Sequence, residues 1–224
     1  VAPNTNLNYT TPGMSTGASL VGRDINNTTT SSLPSNAGST AGTTTYYGSP
    51  TKTLNSVQRF GAVKNVQVTV IAAPTIGTIT APAVVFANAP FTASWSGTDI
   101  ESYSIKSNNA SSGVSTSDTT ISNATSRNIT PIAAGNYTYT ITAINSVGTT
   151  TSKSFTVTAE SDPTFTSFTV NGSGSVVVAG GTTLNYVAGG ISSGAFYQGR
   201  NSSNDGNVTN PTTSPSTAGT YTYY

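Results

Sequence analysis

The chain contains no cysteine and no histidine among its 224 residues. The absence of cysteine excludes disulfides, thiolate metal sites and a cysteine nucleophile. The absence of histidine removes the side chain that most often serves as a general acid or base near neutral pH. A carboxylate pair is the remaining route to hydrolysis, but only seven acidic residues are present and they form no convincing pair. We therefore predict no enzyme, no catalytic residue, no cofactor and no metal.

The chain is also poor in charge and in long hydrophobic runs. Charged residues make up 7% of the sequence, and its eight Lys and Arg residues are scattered from Arg23 to Arg200. A nucleic-acid groove needs concentrated positive charge, so we expect no nucleic-acid partner. The longest apolar stretches, such as AVVFA at 83–87, fall far short of the roughly 20 residues that span a bilayer. We expect no membrane insertion.

Serine and threonine are what the chain has in abundance, with 75 of 224 residues. Together with Val, Ile and Tyr, threonine favours strands over helices. An uncharged, hydroxyl-rich surface stays soluble with little dependence on salt, because it has few ion pairs to screen. This composition is typical of proteins exposed to changing surroundings, and we predict an extracellular location on a cell surface or a virion surface.

Residues 6–47 and 183–224 read as two copies of one passage. Aligned without a gap at a constant offset of 177, the two stretches are identical at 19 of 42 positions. The matches include Leu-Asn-Tyr, Gly-Arg and the final Tyr-Tyr, which are not explained by the Ser- and Thr-rich composition. A third, divergent copy lies between them, and the equivalent Gly42, Gly135 and Gly219 are 93 and 84 residues apart. A period of about ninety residues predicts tandem small β-sandwich domains.

Strands followed by proline-containing connectors place the domain boundaries. VQVTV at 66–70 precedes IAAPTIG, and FTVTA at 155–159 precedes ESDPTFT. We predict a first unit at 1–70, a complete unit at 71–160 and a third unit at 161–224. The first unit is expected to begin just ahead of a strand at 7–9 and to lack its opening strand. The third is expected to lack its closing strand, so that Tyr224 falls within a strand of a longer repeat array.

The middle unit shows the period-two alternation of half-buried strands. Apolar residues alternate with Ser and Thr in FTASW at 91–95, in YSI at 103–105 and in YTYTITA at 137–143. No window has the 3.6-residue period of an amphipathic helix. The predicted fold class is all-β, with tandem antiparallel β-sandwiches and essentially no helix.

The stretches PFTASW, SYSIKS and YTYTITAINSVGTTTS resemble immunoglobulin-like and fibronectin type III-like modules, which occur in tandem on bacterial surfaces and phage particles. In these families a late strand reads Tyr-x-apolar-x-Ala-x-Asn-x-x-Gly, as this chain does from Tyr139 to Gly148. The resemblance implies that Tyr139 is the corner tyrosine, whose hydroxyl bonds back to the backbone, and that Ile141 occupies the immunoglobulin cysteine position. It also implies that Trp95 anchors the core. The first unit departs from this pattern after Tyr47, so its last strands are expected to be spaced differently.

Two sets of polar residues suggest binding without establishing it. Acidic pairs at 99–101 and 160–162, and the Asn-Asp-Gly-Asn turn at 204–207, offer oxygens to calcium, but hydrogen bonding within polar turns is the favoured interpretation.

Tyr47, Tyr197 and Tyr224 lie outside the core pattern, and exposed tyrosines among Ser, Gly and Asn suit adaptable surfaces for glycans. Packing along strands is the competing role for these tyrosines.

These observations favour a structural or adhesive segment of an extended fibre, stalk or surface decoration. Its partners are expected to be further copies of itself, other structural proteins of the same particle or surface, or glycans. Weak contacts would be multiplied by copy number. Two alternatives remain: an ancillary carbohydrate-binding module of a secreted enzyme, and a filament subunit that exchanges strands with its neighbours.

Overall fold

The computed structural model describes residues 1–24, 26–199, 206 and 208–223. The chain divides into two compact units, Val1–Glu160 and Ser161–Tyr224, and each is described by itself. Within the described residues no helix is both long enough and apolar enough to cross a membrane. The boundary predicted at residue 70 stays a prediction.

Strands dominate residues 1–160, whereas residues 161–223 contain two short strands. The one helical element of the described residues is a single 3-10 turn at Ala110–Ser112. In chain order the strands are β1 Ser19–Arg23, β2 Thr30–Ser31, β3 Gly42–Leu54, β4 Val57–Phe60, β5 Lys64–Val70, β6 Thr75–Thr80, β7 Val84–Phe86, β8 Phe91–Thr98, β9 Ser102–Ser107, β10 Thr119–Thr120, β11 Ser126–Ile129, β12 Gly135–Ile144, β13 Thr150–Glu160, β14 Ser167–Val170 and β15 Tyr186–Gly189.

Strands β6 to β13 form a two-sheet sandwich. One sheet has the order β11-β8-β6, and the other has the order β10-β9-β12-β13-β7. All pairs are antiparallel except β7 and β13, which run parallel. This is the strand order of an immunoglobulin-like sandwich, with the early strands β6 and β8 facing the late strands β12 and β13. The predicted all-β, immunoglobulin-like fold class is confirmed.

The core of this sandwich is formed by the alternating residues that the sequence pattern singled out. Trp95 is 5% exposed and meets Tyr103 edge-on, with ring centroids 5.8 Å apart. Tyr139 and Ile141 are fully buried on β12, where Tyr139 stacks on Phe155 at 5.0 Å. Burying side chains of this size stabilises the fold by roughly 1.5–3 kcal/mol each. The prediction that Trp95 anchors the core is confirmed.

The corner tyrosine is Tyr137, and the assignment of this role to Tyr139 was wrong. The Tyr137 hydroxyl donates to the carbonyl of Ala133, four residues upstream, at 2.8 Å. That short return to the chain is the geometry of the tyrosine corner. The Tyr139 hydroxyl instead donates to the carbonyl of Ser112, 27 residues away, at 2.9 Å. Because Tyr137 occupies the corner, Tyr139 rather than Ile141 lies two residues beyond it, at the centre of the core.

Residues 1–70 build one five-stranded sheet around the long strand β3. Strand β1 pairs along one edge of β3, and β5 and then β4 pair along the other. Its interior is partly polar: Arg23 is 6% exposed, its guanidinium carbon lies 4.1 Å from the centroid of the Phe60 ring, and its Nε donates to Asn27. Strands β3 and β4 form a hairpin whose spacing differs from that of the middle unit, as predicted.

No strand is found at 7–9, where one was predicted. Asn6 forms an isolated bridge with Asn36, and the Leu7 amide donates to the Ser35 carbonyl at 2.8 Å. The pairing ends at Leu7, and the chain turns further on at Gly13, which has a φ of +76°. A Leu-Asn-Tyr triplet is too short to define a strand without a long partner.

Within residues 161–223, β14 and β15 form a two-stranded antiparallel sheet. In the middle unit β8 pairs with β6 on one edge and with β11 on the other, whereas β15 pairs with β14 alone among the described strands. In the third unit the Leu184 amide donates to the Thr212 carbonyl and Thr183 forms an isolated bridge with Thr213, but the pairing does not extend into a described strand. Residues 219–223 form no strand, contrary to the prediction for the chain end, and Tyr224 lies outside the described residues.

Candidate functional site

The acidic residues of the described chain lie in turns, in connectors and at strand ends. The single ion pair within 4.0 Å in this part of the chain joins Lys106 to Asp118 at 3.1 Å, and both side chains are about half exposed. Asp99 and Glu101 are exposed in the turn between β8 and β9. No group of three acidic residues that could hold a metal ion is found among the described residues. Calcium binding stays a hypothesis, and most of the predicted 204–207 turn lies outside the described residues.

Asn145 is a buried polar residue, 1% exposed, at the turn between β12 and β13. Its Oδ1 accepts from the amides of Val147 at 3.1 Å and Thr149 at 2.9 Å, which closes the turn. Its Nδ2 donates at 2.7 Å to the carbonyl of Ala72, 73 residues away. Gly148 completes the turn with a φ of +80°. One amide therefore fixes the turn and binds the connector that leads in from residues 1–70.

The connector between β5 and β6 is tied along its length. Val70 is 7% exposed and Pro74 is fully buried. The Ile71 amide donates to the Val1 carbonyl at 2.9 Å, while the Ala72 carbonyl receives the Asn145 amide. A loose linker would leave these backbone groups to water. The segment instead forms a short joint, and Asn145 is its main side-chain contact.

Sequence reasoning included Asn145 in a family motif but did not find its contact with Ala72. The Asn-x-x-Gly signature predicts the closed turn, because asparagine accepts from amides two and four residues ahead. The second bond depends on where the connector runs, which no local pattern reveals. The one sequence feature that indicated an ordered connector was Pro74, four residues after the end of β5.

Of the three tyrosines that lie outside the core pattern of the sequence, Tyr47 and Tyr197 are partly buried. Tyr47 is on β3 and is half-buried in the sheet. Tyr197 packs on Phe168 at 5.0 Å between ring centroids, and Asn210 donates to its hydroxyl. Tyr224 lies outside the described residues. These placements support the packing role for Tyr47 and Tyr197 more than an open binding surface.

A cavity of about 640 Å³ lies within residues 168–223. Phe168, Tyr186, Tyr221 and Tyr223 line it together with Ser, Thr, Gly and aliphatic side chains, and none of its lining residues is charged. The buried Tyr186 hydroxyl has no hydrogen-bond partner among the described residues. Burial raises the pKa of Tyr186, which keeps the hydroxyl neutral. The cavity therefore suits a neutral guest.

Comparisons with known proteins give distant similarities. No family model matches the chain, and no curated protein matches it. Among solved structures, the chain is similar to fibronectin(III)-like modules of Clostridium thermocellum CbhA, with 16% identity, a TM-score of 0.36, and coverage of 71% of this chain and 88% of that one. It is also similar to domains 4–9 of the surface layer protein SbsC, with 16% identity and a TM-score of 0.28 over 81% of this chain and 30% of that one. The fold assignment rests on the strand order and the core described above.

Proposed function

We propose that this chain is a non-enzymatic structural segment of a surface assembly, a fibre, stalk or decoration on a bacterial cell or a virion, that holds neighbouring modules at a fixed spacing. The observation that carries the proposal is the Asn145 joint. A protein that holds other groups at a distance from a surface needs stiff connections between its modules. The buried side-chain amide of Asn145 binds both the turn and the connector, and so it stiffens the connection. Tandem repetition and a hydroxyl-rich, weakly charged surface support the same role.

The joint is tested by a substitution that removes the hydrogen bond donated by Asn145 and keeps the hydrogen bonds that it accepts. Asn145→Asp keeps an oxygen acceptor for the turn amides but removes the donor to Ala72 and places a negative charge against that carbonyl. Because the chain has no cysteine, two spin labels can be attached to the same chain, one at Thr44→Cys and one at Ser117→Cys, and the distance between them can be measured. We expect a narrow distance distribution for the native chain and a broader one for Asn145→Asp.

Asn136→Asp is the matched control, because Asn136 is exposed and its Oδ1 accepts from Thr158 away from the joint. Its distance distribution should equal that of the native chain. Fluorescence of the single tryptophan, Trp95, verifies that the sandwich stays folded in both variants. An unchanged distribution in a folded Asn145→Asp chain would count against a stiffening role for the joint.

A second function, glycan binding, is favoured by the uncharged cavity in residues 168–223. Tyrosine faces stack on sugar rings, and neutral hydroxyls exchange hydrogen bonds with sugar hydroxyls. The Tyr186 hydroxyl is buried and has no partner among the described residues, and a sugar hydroxyl that displaces the side chains covering it would provide the missing partner.

Titration of the full chain with neutral oligosaccharides tests glycan binding. Tyr186→Phe should weaken binding about tenfold, the value of one lost hydrogen bond of about 1.4 kcal/mol. Tyr47→Phe, in a different unit, should leave the affinity unchanged. Absence of binding at millimolar concentrations of every oligosaccharide class would exclude this second function.

A further inference from the structure

The few charges of this chain are unevenly distributed. Residues 1–70 contain four of the eight Lys and Arg residues but one of the seven acids, a net charge of +3. Residues 71–224 contain the other four cations and six acids, a net charge of −2. In a chain with 7% charged residues, such a separation gives the two parts opposite electrostatic fields.

Two of the cations lie on a projecting hairpin, residues 52–59, which we call the arm. Strand β1 pairs with β3 as far as Thr51, so no third strand flanks the arm among the described residues. All eight of its residues are exposed. Asn55 and Ser56 form its two-residue turn, with φ values of 48° and 62°, as in a type I′ turn. The arm is therefore an ordered ribbon with both faces open to solvent.

One face of the arm combines the two cations with the largest aliphatic side chains. Lys52 lies directly opposite Arg59, and Leu54 lies directly opposite Val57. Residues two apart and residues paired across strands share a face, so all four side chains lie together. Leu54 is 64% exposed and Val57 is 55% exposed.

Like charges placed directly opposite each other destabilise a hairpin. The Lys52 ammonium donates to the Thr16 carbonyl at 3.1 Å, but neither it nor the Arg59 guanidinium has a carboxylate within 4.0 Å in the described structure. A partner that presents two carboxylates would relieve this repulsion and cover the aliphatic pair. The arm thus has the composition of a contact surface for an acidic partner.

The chain itself contains a matching surface at 99–101, which we call the acidic turn. Asp99 and Glu101 are exposed and flank Ile100 between β8 and β9, and neither carboxylate has a cation within 4.0 Å among the described residues. Their α-carbons are at most about 7 Å apart, since two residues span no more than that. The α-carbons of the cross-strand cations are separated by about 5 Å. Two unpaired cations and two unpaired acids at similar spacing are complementary.

We propose that the arm of one copy docks on the acidic turn of a second copy of this chain. The contact is heterologous: each copy offers one arm and one acidic turn, so association continues from copy to copy and produces a filament, or a ring where the rotation closes. A single contact is weak, because exposed ion pairs are screened by salt, and it becomes effective through copy number. This inference rests on the structural function proposed above and names its partner as a further copy of the same chain.

Charge reversal on the full chain tests this docking. Sedimentation velocity at increasing protein concentration should show self-association that weakens at least about tenfold between about 20 mM and about 500 mM NaCl. The variant Lys52→Glu/Arg59→Glu has an acidic arm and an acidic turn, and it should lose self-association. The variant Asp99→Lys/Glu101→Lys has a basic arm and a basic turn, and it should lose self-association too.

Mixing the two reversed variants provides the decisive measurement. Each acidic arm then meets a basic turn and each basic arm an acidic turn, so the mixture should associate as strongly as the native chain. The matched control Lys106→Asp/Asp118→Lys exchanges an exposed ion pair elsewhere on the sandwich and should associate normally.

The proposal is overturned if the native chain shows no salt-sensitive association, if either reversed variant self-associates like the native chain, or if the mixture fails to associate. The Trp95 fluorescence of each variant confirms that the sandwich remains folded. The spin-label measurement on the Asn145 joint is made on dilute chains in high salt. A failure of docking therefore leaves the test of the structural function unaffected.

Discussion

The buried hydroxyl of Tyr139 offers the sharpest test of how the sandwich core is held together. Tyr139→Phe removes one oxygen and keeps the ring, which packs on Phe91 at 6.0 Å and Phe155 at 5.0 Å. The lost hydrogen bond runs to the carbonyl of Ser112, a residue with no exposed surface. Because that carbonyl is then buried without its tyrosine donor, we expect the free energy of unfolding to fall by about 2 kcal/mol.

Tyr137→Phe is the matched control on the same strand. Its hydroxyl donates to Ala133, an exposed residue whose carbonyl water can reach after the substitution. We expect a loss of about 1 kcal/mol there. Urea unfolding followed by Trp95 fluorescence reports this sandwich within the intact chain, because Trp95 is the only tryptophan. A loss at Tyr139 equal to or smaller than the loss at Tyr137 would refute the reasoning from carbonyl burial.

Three further outcomes follow from particular positions. Burial raises the pKa of Tyr139 to about 12, so the free energy of unfolding should fall as the pH rises from about 10 through 12, and it should fall less in Tyr139→Phe. Hydrogen bonds from Thr28 lower the pKa of Asp24, so this carboxylate adds no pH dependence above about pH 5. Urea unfolding should therefore show a stability that is constant between about pH 5 and pH 9. Ser56→Gly should stabilise the arm by roughly 0.5–1 kcal/mol, measured by amide exchange of the hairpin, because glycine adopts the positive φ of a type I′ turn without strain. Gly113→Ala should cost about 3 kcal/mol or more in thermal unfolding, since its φ is +79° and a Cβ would lie 2.1 Å from the Thr130 carbonyl.

The middle unit could be predicted from its sequence because local pattern and tertiary structure agree there. Apolar and polar residues alternate along β8 and β12, and this alternation identifies which side chains face the core. A period of two residues is compatible with a strand and not with a helix. The error was a shift of two residues in assigning the corner tyrosine. Tyr137 and Tyr139 are on the same face and are equally good matches by spacing, and their roles differ only in the carbonyl that each hydroxyl reaches.

The outer units could not be predicted in the same way, although they share 19 identities. The first copy forms β3 because Lys64–Val70, which lies outside the repeated passage, pairs along it. In the third unit the corresponding residues 219–223 have no such strand beside them among the described residues. Whether a segment forms a strand depends on its pairing partner as much as on its own residues. A repeated sequence therefore predicts a repeated structure only in part.

The sheets of this chain contain pairs of hydroxyl groups where many proteins have ion pairs, and this difference bears on the proposed docking between copies. Across β12 and β13 the hydroxyls of Thr140 and Ser154 are 2.9 Å apart and those of Thr142 and Ser152 are 2.8 Å apart. Neutral pairs of this kind stabilise neighbouring strands without creating a long-range field. Few of the described edge strands carry a lysine of the kind that normally prevents unwanted pairing, Lys64 on β5 being one that does. If copies dock through the arm and the acidic turn as proposed, their orientation and register depend on the few charges that remain, and the effect of each charge on assembly should exceed its effect on stability.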